Sequence, residues 1–144
     1  MGLTYSEGQL VFIDTAPFIY HFQEHPEFCA PVGRLFDAVY SRNMRVVTSM
    51  ITYIELLTRP EREGKHALAA RYRQLLTGSE HLSIYPLNVL VADSAVMFRA
   101  RYGLKTPDAI QLATAHVCGA DLVVTNDRDW SRVSELTIVQ VPEL

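Results

Sequence analysis

Leu10-Val11-Phe12-Ile13-Asp14-Thr15 is the stretch on which the fold turns. An uninterrupted apolar run has no polar face to offer to water. It therefore reads as a strand covered on both sides, as the strands of a parallel sheet are. Asp14 stops the run, and Thr15 and Pro17 suit the opening of a helix. An acidic residue is thus expected at the carboxyl end of a buried strand.

Working outward, the same alternation recurs. Met1–Gln9 reads as a short arm. Val32, Leu35, Phe36, Val39 and Tyr40 follow the spacing of an amphipathic helix. Arg45–Thr48 is a second strand. Ser49 caps a helix that carries Glu55 and is expected to stop before Pro60. Leu68, Tyr72, Leu75 and Leu76 mark a further helix ending near Gly78, and Leu82–Tyr85 a third strand. Asn88 caps Val89–Tyr102, closed by Gly103. Thr106-Pro107-Asp108 reads as N-cap, N1 and N2 of a helix to about Cys118, closed by Gly119. Asp121–Val124 and Thr137–Val141 complete the strands. Strands alternating with helices along the whole chain imply an α/β fold, a three-layer α/β/α sandwich around a mostly parallel sheet.

The 144 residues suit a single domain, 1–144, with one substantial core. Apolar residues make up 49% and charged residues 20%, a globular composition. The apolar runs fall far short of the roughly 20 residues that span a bilayer. There is no basic-then-apolar start of the secretory kind. Cys29 and Cys118 form neither a disulfide framework nor a zinc knuckle, so a reducing cytoplasm is the expected setting. The net charge of −3 argues against holding nucleic acid by bulk positive charge. It leaves room for a nuclease whose cations come from solution.

The acidic residues carry the chemistry. Asp14 ends the first strand and Asp127 lies just past the fourth, so a parallel sheet puts both at one edge. Asp108 lies in the first turn of a helix and Glu55 inside another, among Ile54, Leu56 and Leu57. Each has an ordinary reading as well: a cap, a partner of a helix dipole, an Asx-turn or a solvated helix face. Jointly placed, they repel one another unless protonated or bridged by cations. Oxygen-only donor sets suit Mg²⁺ or Mn²⁺, which serve phosphodiester hydrolysis. The five histidines show no metal-ligand spacing, and no glycine-rich phosphate loop is present.

Val11-Phe12-Ile13-Asp14-Thr15, Tyr53-Ile54-Glu55-Leu56-Leu57, Thr106-Pro107-Asp108-Ala109-Ile110 and Val124-Thr125-Asn126-Asp127-Arg128-Asp129-Trp130 together resemble the PIN-domain family. Within it they look like the VapC-type toxin ribonucleases of toxin–antitoxin pairs. The resemblance covers essentially the whole chain. It implies a Mg²⁺- or Mn²⁺-dependent endoribonuclease that takes RNA as substrate. Its acidic quartet falls on Asp14, Glu55, Asp108 and Asp127, with Asp129 as a further metal ligand. Thr125 matches a hydroxyl residue that orients a carboxylate or a water, and Trp130 stands where phenylalanine is more usual. The resemblance also implies a homodimer and a cognate antitoxin partner, for which the aromatic cluster Phe18, Tyr20, Phe22 and Phe28 offers an interface. A PIN nuclease of RNA processing, or a non-catalytic RNA- or protein-binding domain on the same fold, are the alternatives.

Overall fold

The computed structural model describes residues 2–144. Five strands form one sheet: β1 (Leu10–Ile13), β2 (Arg45–Ser49), β3 (Leu82–Tyr85), β4 (Leu122–Thr125) and β5 (Ile138–Gln140). Their order is β3-β2-β1-β4-β5 and every pairing is parallel. Six helices connect them: α1 (Thr15–Phe22), α2 (Cys29–Ser41), α3 (Met50–Arg62), α4 (His66–Gly78), α5 (Val89–Tyr102) and α6 (Thr106–Cys118). Short 3₁₀ turns follow at Arg128–Arg132 and Val141–Glu143.

The two faces of the sheet explain the unbroken apolar strands. Val11, Ile13, Val46 and Val124 pack with Phe18, Val32, Leu35, Leu56 and Leu76 of α1 to α4. Phe12, Val47 and Val123 point the other way, into Val91, Phe98, Leu112 and Trp130. Alternate residues of one strand thus fill two cores, and neither face meets water. Trp130 is 1% exposed and is a packing residue.

The strand order reverses between β1 and β4: the chain steps outward from β1 to β3, then returns to β4 on β1's other side. Open parallel sheets bind ligands beyond their carboxyl ends at such a reversal. Asp14 and Asp127 flank it.

Several boundaries differ from expectation. Lys105 is the N-cap of α6, so Thr106, Pro107 and Asp108 occupy its first three positions, one later than expected. Pro60 does not end α3; the helix runs on to Arg62. Its ring is buried on the wall of a groove beside Leu68 and Tyr72, and that packing offsets the lost backbone hydrogen bond. Tyr40 leaves its helix stripe and is 63% exposed, with its ring against His81. The arm expected over Met1–Gln9 begins at Met1, outside the described residues. Its Tyr5 is buried in the core, and Gly2 lies so close to the Leu144 carbonyl that a Cβ would sit 2.5 Å from it. Gly103 and Gly119 close α5 and α6 with left-handed φ of 65° and 69°, as expected.

Candidate active site

Four segments far apart in sequence meet at the strand reversal. A cleft of about 550 Å³ is lined by Asp14, Glu55, Asp108 and Asp127, together with Thr15, Tyr20, Gln111, Asn126 and Arg128. All four residues of the expected quartet therefore share one opening. Asp14 arrives at the end of β1 and caps α1, accepting from the Thr15 backbone N–H at 2.7 Å. The capping reading and the cleft reading both hold for it. Glu55 projects from α3, exposed, with Thr15 Oγ1 donating to its Oε1 at 3.1 Å. Asp108 comes from the first turn of α6. Asp127 follows β4, and its Oδ1 accepts from the Asp129 N–H at 3.0 Å.

Asp14 is the most constrained of the four. Thr125 Oγ1 donates to its Oδ2 at 2.8 Å and accepts the Asp127 N–H at 3.0 Å. Thr125 is buried, so this hydroxyl joins the two strand ends across the reversal. Burial pushes the Asp14 carboxyl up to about 6. Hydrogen bonds from Thr125 and Thr15 pull it down, while Glu55 and Asp108 push it further up. Asp108 is also raised, by burial first and then by Asp127. Among the described residues none of the quartet belongs to an ion pair; the ion pairs lie elsewhere.

Asp129, expected as a further metal ligand, is paired with arginine in this structure. Arg132 holds both its oxygens, Nε to Oδ1 at 2.8 Å and Nη2 to Oδ2 at 3.2 Å. The guanidinium lies over the Tyr102 ring, 5.6 Å from its centroid. Asp129 is absent from the cleft lining, but its charge lies near enough to help raise the Asp108 carboxyl. One helical turn of spacing, from Asp129 to Arg132, was the available signal.

Sequence reasoning missed Gln111. It lies three residues after Asp108 on α6, 2% exposed, directly beneath the cleft. Its Nε2 donates to Asp14 Oδ1 at 3.0 Å. A buried polar residue between Ala109 and Leu112 was the signal that could have found it. Asn126 was missed as well; its Nδ2 donates to the Tyr20 hydroxyl at 2.9 Å and ties β4 to α1.

The donor set fits a hard divalent cation. It is made of oxygens alone, carries excess negative charge and is answered by no paired cation among the described residues. As the side chains stand, no three carboxylate, imidazole or thiol groups among the described residues converge closely enough to hold an ion. Glu55 and Asp127 are exposed and would turn inward to do so.

Comparison with known proteins settles the family. The PIN domain matches residues 11–136. The chain belongs to the PIN domain family. No curated protein matches it closely enough to count. Among solved structures, this PIN domain is similar to a toxin–antitoxin complex from Klebsiella pneumoniae, with 24% identity and a TM-score of 0.71 over 93% of this chain and 99% of that one. It is similar to VapBC2 from Rickettsia felis bound to a DNA fragment from their promoter, with 15% identity and a TM-score of 0.75 over 92% and 98%. It is also similar to VapC20 of Mycobacterium tuberculosis, a sarcin-ricin loop cleaving toxin, with 19% identity and a TM-score of 0.69 over 86% and 95%. At these identities the likeness is one of fold.

Proposed function

We propose that this PIN domain is a Mg²⁺- or Mn²⁺-dependent endoribonuclease and the toxin of a type II toxin–antitoxin pair. One observation carries the reading: four carboxylates from four separate segments line one cleft at the strand reversal, and among the described residues none has an ion-pair partner. A fold gains nothing from gathering unpaired like charges, so their cost points to a cation and a reaction.

Asp14, Asp108 and Asp127 would hold the ions, and Glu55 would complete the set or orient the attacking water. The bound cation supplies an activated water and charge neutralisation at the phosphodiester. The chain's own contribution is positioning. Thr125 holds Asp14 against the strand end. Arg128, exposed at the cleft, offers a guanidinium to an RNA phosphate. The test is incubation of purified protein with RNA and with DNA of the same sequence. Cleavage of the RNA at defined ends, with the DNA intact, supports the reading; an RNA left whole under all divalent cations overturns it.

Two partners belong to this reading, in a cytoplasmic setting. A second groove of about 390 Å³ runs between α1, α3 and α4, floored by Phe22, Leu56, Leu68 and Tyr72 and rimmed by Arg59, Glu63 and Lys65. Ile19 and Glu55 line both this groove and the carboxylate cleft. An antitoxin segment seated in the groove would bring a basic side chain within reach of the quartet. The homodimer is assigned to α5, where Val89, Leu90, Val96 and Met97 are exposed while Val91, Ala95 and Phe98 are buried behind them. A helix apolar on both sides calls for cover on both. The aromatic cluster does not supply this face. Phe18 is in the core, and Tyr20, Phe22 and Phe28 pack against it, with Phe22 stacked on Tyr72.

A further inference from the structure

We infer that Gln111 is a positioning residue that locks Asp14 so that its carboxylate offers one free lone pair, on Oδ2, and accepts a divalent cation through that oxygen alone. The inference rests on the proposed metal-dependent reading, and it concerns a residue outside the acidic quartet.

An ionised carboxylate has about four lone-pair sites, two on each oxygen. At Asp14, Oδ1 accepts from the Thr15 backbone N–H at 2.7 Å and from Gln111 Nε2 at 3.0 Å. Both of its sites are taken. Among the described residues Oδ2 accepts only from Thr125 Oγ1, at 2.8 Å. One site remains, and it belongs to Oδ2.

The orientation of the Gln111 amide follows from its neighbours. Ser49 Oγ caps α3 and accepts from the Ile51 and Thr52 N–H groups at 3.1 and 3.3 Å. Its lone pairs are committed, so its proton goes outward, to Gln111 Oε1. With Oε1 facing Ser49, the two Nε2 protons face Asp14 Oδ1 and Thr15 Oγ1, at 3.0 and 3.2 Å, while Thr52 Oγ1 lies within reach of both amide atoms, 3.0 Å from Nε2 and 3.3 Å from Oε1. A flipped amide would set oxygen against carboxylate and nitrogen against a hydroxyl proton. The polarity therefore runs one way, from the Ser49 cap through Gln111 to Asp14. Thr15 Oγ1 extends it to Glu55.

An amide buried to this degree and bonded on both ends leaves Asp14 no room to rotate. Mg²⁺ takes carboxylates through single oxygens in near-octahedral geometry, whereas Ca²⁺ tolerates bidentate carboxylates and higher coordination numbers. A carboxylate with one free site thus favours the smaller ion. Removing the Gln111 donor frees a site on Oδ1 and lets Asp14 turn.

The experiment compares wild type with Q111M, whose side chain is of similar length and donates nothing, by two readouts. Three-bond couplings to the Asp14 Cγ report its χ1 rotamer in metal-free protein. Melting shifts titrated with Mg²⁺ and with Ca²⁺ report cation affinity. Wild type should show one rotamer and Q111M an average. The Mg²⁺ affinity of Q111M should fall by about tenfold or more, with a smaller loss for Ca²⁺. If Q111M does not fold, S49A removes the hydroxyl that orients the Gln111 amide and serves for both readouts. An Asp14 that stays locked in the variant, with an unchanged Mg²⁺ to Ca²⁺ ratio, overturns the inference. A wild type that ignores both cations, while the rotamer still averages only in the variant, removes the metal reading and leaves the lock standing.

Discussion

Thr125 Oγ1 donates to Asp14 Oδ2 at 2.8 Å while accepting the Asp127 N–H at 3.0 Å, so one buried hydroxyl couples the ends of β1 and β4. Valine has the same shape without the hydroxyl. T125V should therefore keep the fold and lower cleavage by about tenfold or more, as loss of a group supporting a ligand does. Its Asp14 should also ionise at a higher pH, because the Thr125 hydrogen bond is what pulls that carboxyl down. T125S should recover most of the rate. A T125V protein as active as wild type would show that the coupling is incidental.

Asp14 also sets a pH dependence. Its folded pKa is raised from 3.8 to about 6, so folding favours the protonated form. That contribution is fully present below pH 3.8 and is lost as the pH rises to about 6. At neutral pH the ionised carboxylate costs about 3 kcal/mol, taking roughly 1.4 kcal/mol per pKa unit. Without metal, D14N should be more stable than wild type at pH 7, and the gap should close near pH 4. Millimolar Mg²⁺ should raise the wild-type Tm and leave D14N unmoved. Denaturant titrations at the two pH values check this; a D14N protein less stable at pH 7 would give Asp14 a purely structural role.

Asp129 and Asp127 should separate cleanly. Arg132 occupies both oxygens of Asp129, and the bond Asp129 makes to Asp127 comes from its backbone N–H. D129A should stay within a few-fold of wild-type cleavage, because that N–H survives the substitution, whereas D127A removes a carboxylate of the cleft. Equal losses in the two variants would return Asp129 to the metal set.

The two apolar surfaces are distinguishable in solution. V96E/M97E places charge on the exposed side of α5 and should yield a monomer by light scattering with little change in Tm. F22S removes a ring stacked on Tyr72 at 4.9 Å and should cost on the order of 2 kcal/mol of stability instead. A dimer that survives V96E/M97E would place the interface elsewhere.

How far these features were legible in the chain depends on whether they are local. Leu10–Ile13 announces a doubly covered strand because its apolar run is continuous, and Ser49, Asn88, Gly103 and Gly119 announce helix ends by their own side chains or by lacking one. Asp14 and Asp127 could be placed together because a parallel sheet puts strand ends on one edge. Pro60 misled, since its cost is local while the packing that offsets it is tertiary. Gln111 was invisible for a similar reason: its partners Ser49, Thr52 and Asp14 lie 59 to 97 positions away. The aromatic cluster suggested an outer surface because ring density is readable and ring direction is not.

The most direct measurement of the central claim is the rate of RNA cleavage by wild type and by D14A and D127A across a Mg²⁺ or Mn²⁺ titration, with EDTA as the zero point. If the cleft is a cation-dependent nuclease site, wild-type cleavage should rise with the cation and vanish in EDTA, and each variant should lose at least ~10²-fold. Undiminished cleavage in EDTA, or by D14A at saturating cation, would contradict it.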